Sequence, residues 1–170
     1  MEQTLINRVA QSGLVTINLE DFYPEAELLS FDIKDYLFQG LILKEKDFRK
    51  VLKEHDWSAY SGKHLNIFCS TDAIIPTWAY MLVTSYAQEY ALSIFQGSKE
   101  EFMKNYYNKV LDDLDYSQYE DKRIVIKGCS NKPVPPSAYS VLTGNLKPHA
   151  LSIMYGEPCS TVPIYKRQKK

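Results

Sequence analysis

The feature that most limits the fold of this chain is an internal repeat. Residues 76–97 and 135–156 align at a constant offset of 59, and nine of the 22 positions are identical. They are Pro76/Pro135, Ala79/Ala138, Tyr80/Tyr139, Thr84/Thr143, Ala91/Ala150, Leu92/Leu151, Ser93/Ser152, Ile94/Ile153 and Gly97/Gly156. Average residue usage gives about one or two such identities by chance. Upstream, Cys69-Ser70 matches Cys129-Ser130 with a one-residue gap. Each passage reads as strand, Cys-Ser, turn, Pro, helix, Ala-Leu-Ser-Ile strand, Gly. A strand–helix–strand succession favours a parallel, right-handed crossover. The expected fold class is therefore α/β: a mainly parallel or mixed sheet with flanking helices, built on a duplicated strand–Cys–helix–strand unit. Two units are too few for a solenoid, so the paired units are expected in one sheet.

The rest of the chain fills in around this frame. Strands are expected at 14–19, 28–32, 65–68, 91–95, 123–127 and 150–154, from short apolar or alternating runs bounded by Gly, Pro and Asp. Segment 36–43 is apolar around Gly40 and reads as strand or helix. Helices are expected at 44–54, where Phe48, Val51 and Leu52 recur at helical spacing, and at 76–90, 100–114 and 137–146. In the second of these, Trp78, Met81, Leu82 and Ser85 form the expected apolar face. Residues 55–63 read as a loop with aromatic anchors, and the acidic run 112–121 as a solvated end. An extended piece is expected at 162–165. With 170 residues, one domain over 1–170 is expected, with repeat units at about 64–97 and 123–156 and a basic, frayed tail at 166–170.

Composition narrows the function. Lys plus Arg is 20 against 21 Asp plus Glu, which removes the global electrostatic case for nucleic-acid binding. No apolar run reaches the roughly 18 residues of a membrane span. Residues 1–10 lack the apolar core of a signal peptide, and three cysteines is an odd number for a disulfide scaffold; both make the cytoplasm the expected compartment. There is no phosphate-binding glycine loop and no nucleophile-elbow serine.

The cysteines carry the chemistry. They share one local phrase: Cys69-Ser70-Thr71, Cys129-Ser130-Asn131 and Cys159-Ser160-Thr161, each followed by a proline. Each follows a strand, and in an open parallel sheet the carboxyl ends of the strands are where ligands gather. Short hydroxyl and amide residues favour turns whose backbone N–H groups point inward, here drawn from Ser70, Ser130 and Ser160. Such turns stabilise a thiolate. Three thiolates at close range raise one another's pKa, and a cation resolves the conflict. Zinc with three cysteines and a fourth ligand is one solution, and an iron–sulfur cluster with a labile fourth position is another. Cys69, Cys129 and Cys159 are thus expected to ligate one such centre.

Spacings of 60 and 30 residues, with no short Cys-x-x-Cys pair, do not select the metal. Two other readings stand beside this one: buried packing cysteines in a non-catalytic interaction module, and a thiol-dependent redox enzyme. Asp72 is a helix cap, a fourth ligand or a proton acceptor, with capping the better fit. His64 and His149 open strands and so belong at the opposite rim, while His55 lies in the loop. Tyr80 and Tyr139 are expected in the helix–sheet seam.

The phrases 69–80, 127–130 with Pro133-Val134-Pro135, and 156–163 resemble an uncharacterised bacterial family, a domain of unknown function of about this length. That resemblance implies an association with iron–sulfur cluster assembly, because genes of the family can lie near sulfur-mobilisation genes. Iron–sulfur assembly proteins are the partners it implies. It supplies no catalytic residues.

Overall fold

A computed structural model describes residues 13–128, 131–157 and 159–168. Among them the strands and helices are, in chain order, β1 Leu14–Ile17, β2 Leu28–Asp32, α1 Glu45–Glu54, β3 His64–Phe68, α2 Thr77–Ala87, β4 Ser93–Gln96, α3 Lys99–Asp112, β5 Arg123–Ile126, α4 Pro136–Leu146, β6 Ser152–Glu157 and β7 Ser160–Lys166. The chain divides into two compact units. Pro24–Phe102 forms an inserted unit; Met1–Tyr23 with Met103–Lys170 forms a flanking unit. The α/β class holds, with mostly parallel pairing.

In the inserted unit the sheet order is β2-β3-β4, all parallel. β3 is the middle strand and is buried on both faces. Leu65 and Ile67 point into a core with Phe31, Phe48, Leu52, Trp57 and Val83. The alternate residues, His64 and Asn66, are polar yet buried. Burial of that kind requires partners. Asn66 accepts from the Ser30 hydroxyl at 2.7 Å and donates to the Gly97 carbonyl at 3.1 Å. His64 Nδ1 lies 2.7 Å from Ser93 Oγ. α1 buries Phe48 and Leu52 and leaves Val51 exposed. Its end is tied to the following 3-10 turn (Trp57–Tyr60) by the Trp57 indole N–H, which donates to the Leu52 carbonyl at 2.8 Å. Of segment 36–43, Tyr36 ends a 3-10 turn (Ile33–Tyr36), and the rest is neither strand nor helix. It is a turn in which Phe38 bridges Ile42, with Gln39 and Gly40 at positive φ.

The flanking unit draws its first strand from before the insertion. Its sheet order is β1-β5-β6-β7, parallel except that β7 runs antiparallel to β6. Ile17, Leu19, Tyr107, Leu111, Ile124, Leu142 and Ile153 make its core. The Tyr107 hydroxyl donates to the Leu19 carbonyl at 2.9 Å inside that core. The expected single sheet is therefore two sheets, one per unit. Each closes on its own, because β1 pairs with β5 while β2 pairs with β3.

The buried face of α2 meets expectation in part: Trp78 and Leu82 are half-buried against the core, while Met81 and Ser85 are exposed. Ala79, Val83 and Ala87 face the sheet, while Met81 is 66% exposed. α4 repeats this with Ala138, Leu142 and Leu146. In both helices a threonine hydroxyl donates to the tyrosine carbonyl one turn back: Thr84 to Tyr80 at 2.8 Å and Thr143 to Tyr139 at 2.7 Å. α3 opens on a capping box, with Ser98 N–H donating to Glu101 at 2.8 Å and the Glu101 N–H donating back to Ser98 Oγ at 3.2 Å. The acidic run 112–121 is anchored rather than free, through a 3-10 turn (Tyr116–Tyr119) whose tyrosines pack on the core. Lys166 closes β7, and Arg167 donates to the carbonyls of Pro148 and His149, at 3.2 and 2.6 Å, and to Asp121.

Candidate functional site

Cys69 directly follows β3, at the carboxyl edge of the β2-β3-β4 sheet. Asp32, the last residue of β2, is in register with Phe68, so the carboxylate and the thiol share that edge. The Cys69 sulfur lies 3.2 Å from the Thr71 hydroxyl. The Ser70 N–H donates to Asp32 Oδ1 at 3.0 Å, and the same oxygen accepts the Lys34 N–H at 3.0 Å. Asp32 thereby caps the 3-10 turn Ile33–Tyr36 and fastens the Cys69 loop at once.

Burial works to raise the Asp32 pKa, yet the Ser70 hydroxyl, the two backbone N–H groups and the Lys34 charge outweigh it and hold the carboxyl below its ordinary range. Tyr80, in the first turn of α2, packs against the same core as Cys69. Burial pushes its phenol above the ordinary range, and nearby Cys69 and Asp32 push it the same way. Cys69 is half-buried against the hydrophobic core and forms no disulfide.

This geometry revises how the Cys-Ser turn works at position 69. The Ser70 N–H is committed to Asp32, so the group that approaches the sulfur is the Thr71 hydroxyl. Asp72 is exposed and does not cap α2. The N-cap is Pro76, with no side-chain hydrogen bond, because Ala73, Ile74 and Ile75 separate Asp72 from the helix start. Asp32 was not legible as part of this site. Its signal is the capping pattern shared by Asn18-x-Glu20 and Asp32-x-Lys34, each closing a 3-10 turn after a strand.

In the flanking unit, Cys159 is exposed in the turn between β6 and β7. Ser160 is not a turn residue but the first residue of β7, paired with Glu157. Gly156, at φ 125°, makes the tight return possible: a Cβ there would lie 2.6 Å from the Ser160 carbonyl oxygen. Cys129 and Ser130 lie outside the described residues. Beside them, the Tyr155 hydroxyl donates to the Gly128 carbonyl at 3.2 Å, and the N–H groups of Asn131 and Lys132 donate to one Glu20 oxygen. So in each unit a carboxylate holds the loop that leads to a helix: Asp32 in one, Glu20 in the other.

Of the two histidines expected to open strands, His64 does so, while His149 lies in the turn before β6, which begins at Ser152. His64 opens β3, at the opposite end from Cys69. His149 pairs with Glu120 at 3.0 Å. His55 is enclosed by Phe31, Trp57 and Tyr60, with Nε2 3.2 Å from the Tyr60 hydroxyl. Among the described residues, no three His, Cys, Asp or Glu side chains converge as a metal site. Thiols are soft donors suited to zinc or an iron–sulfur cluster, while Asp32 Oδ1 is already occupied by backbone donors. Among the described residues, no helix is long and apolar enough to cross a membrane.

Fold and site together define a mixed α/β protein with a thiol and a carboxylate at one sheet edge. No curated protein and no solved structure matches the chain. It belongs to the family described as protein of unknown function (DUF2480), which it matches over residues 3–167.

Proposed function

We propose that this protein binds a soft metal centre, an iron–sulfur cluster or zinc, through Cys69, Cys129 and Cys159, and acts in iron–sulfur cluster assembly or sulfur handling in the cytoplasm, with assembly proteins as partners. The observation that carries the reading is the placement of Cys69. It is an unpaired, half-buried thiol at the carboxyl edge of a parallel sheet, where ligands of such sheets gather. The threefold Cys-Ser phrase extends it to the other two. We read the two units as products of duplication, since the 3-10 turns Trp57–Tyr60 and Tyr116–Tyr119, the strands, and the helices α2 and α4 recur 59 residues apart. Anaerobic purification with a visible spectrum and elemental analysis tests the function. A brown protein containing iron and sulfide, or a colourless one with one zinc per chain, is expected, and each single Cys→Ser variant should lose the metal. Metal-free protein with three titratable thiols overturns it.

A second reading has its own support. Tyr80, Asp32 and Thr71 around Cys69 are polar groups able to orient a reactive thiol, which favours thiol chemistry over inert packing. Alkylation of Cys69 in a Cys129→Ser/Cys159→Ser background separates the two. A rate that changes with Tyr80→Phe supports thiol chemistry, and a rate like that of a free thiol at every pH rejects it.

A further inference from the structure

The tetrapeptide Ala-Leu-Ser-Ile occurs twice, and the two copies have different surroundings. In the flanking unit, residues 150–153 lead into β6, which is covered by β7. Ser152 pairs with Lys166, Ile153 pairs with Tyr165, and the Arg167 N–H donates to the Leu151 carbonyl at 2.9 Å. Ala150 and Ile153 are fully buried there, and Leu151 and Ser152 are half-buried. In the inserted unit, residues 91–94 lead into β4, which among the described residues pairs with β3 alone. Each of the four residues is more exposed there. Ala91 and Ile94 are half-buried, Ser93 is exposed, and Leu92 is 61% exposed.

The cause lies in the path of the chain beyond each strand. After Gly156 the chain turns back as β7, whereas after Gly97 it enters the capping box of α3. A Cβ at Gly156 would strike the returning chain, and one at Gly97 would strike the Glu101 side chain. The same strand sequence is therefore supplied with a covering strand in one unit and, among the described residues, left as a free edge in the other.

We infer that the β4 edge takes an added antiparallel strand, an extended segment of a partner protein with the chemistry of β7: about seven residues, aromatic at the position facing Ile94, as Tyr165 faces Ile153, and β-branched at the position facing Gln96, as Val162 faces Tyr155. β7 is the internal template, seven residues long with Arg167 beyond it. A second copy of the chain is the poorer fit, because β4 has only four residues and two such strands would cover only each other. Leu92, just before β4, is the apolar anchor for the incoming strand. Nothing in this inference depends on the metal or the thiols.

The test uses the whole protein and a fluorescent peptide of residues 160–167. Saturable one-to-one binding is expected, weakened about tenfold or more by Leu92→Lys and to a lesser degree by Leu92→Ser. Amide hydrogen exchange should slow at Ser93–Gln96 on peptide addition and stay unchanged in β6. A scrambled peptide should not bind. The inference is overturned by any of four results: no saturable binding, equal binding by the scrambled peptide or by both Leu92 variants, protection appearing at β6 through displacement of β7, or a self-associated chain that Leu92→Lys dissociates, which would give the edge to a second copy.

Discussion

Replacing Asp32 by alanine removes one oxygen that serves two loops. Asp32 Oδ1 accepts the Lys34 N–H, closing a 3-10 turn, and the Ser70 N–H, fastening the loop of Cys69. Loss of a capping side chain costs about 0.5–2 kcal/mol, and a typical hydrogen bond contributes about 1 kcal/mol net. The two donors lie near the surface and regain water, so the expected total is about 1–3 kcal/mol in urea denaturation. Asp32→Asn keeps an acceptor oxygen and should cost less.

The pH dependence separates charge from geometry. The folded carboxyl titrates below its unfolded value of about 3.9, so its stabilisation is complete above that pH and is lost as the pH falls through the folded value. The Asn variant should lack that part of the acid limb. The same anchor controls access to the thiol. In a Cys129→Ser/Cys159→Ser background, Asp32→Ala should speed iodoacetamide modification of Cys69. If Asp32→Ala unfolds at the wild-type urea concentration and Cys69 reacts at an unchanged rate, then the carboxylate neither holds the loop nor shapes the site.

Four further outcomes are expected from the geometry. Tyr107→Phe strands the buried Leu19 carbonyl and should cost about 1–3 kcal/mol in urea unfolding. Asn66→Leu removes the partner of Ser30 and of the Gly97 carbonyl, and should destabilise by about 2–4 kcal/mol, since two polar groups lose their bonds together. Gly156→Ala combines positive φ with a 2.6 Å approach to the Ser160 carbonyl oxygen, and hydrogen exchange should show β7 losing protection first. Burial lowers the pKa of His64, and of His55 despite an opposing effect of Asp56, so both favour the neutral ring in the fold. Their stabilisation is present above the unfolded value of about 6.5 and is lost as the pH falls through the folded values; the His55→Gln/His64→Gln double variant should flatten that slope in a pH series of urea midpoints.

The helices and strands were legible because they rest on local patterns. Phe48 and Leu52 among charges mark α1, and Ala-Leu-Ser-Ile marks the start of both repeat strands. What misled was local pattern without depth. Met81 looks like part of the buried face of α2, yet it is exposed, and the fully buried row is Ala79, Val83 and Ala87, with Trp78 and Leu82 at its margin. Asp72 looks like a cap by its proximity to the helix, but its distance along the loop decides otherwise.

By itself the sequence determined the class of fold, the repeated phrases and the residues with thiol chemistry, since periodicity and short motifs depend on neighbours along the chain. Only the tertiary structure decided that there are two sheets, that Asp32 accompanies Cys69, and that, among the described residues, one Ala-Leu-Ser-Ile strand is covered while its twin is not. Those outcomes depend on pairing between residues far apart in the chain: β1 with β5, Asp32 with Ser70, Tyr165 with Ile153. Identical tetrapeptides carry identical local preferences, so only the path taken by the rest of the chain can make one of them an interior strand and the other an edge.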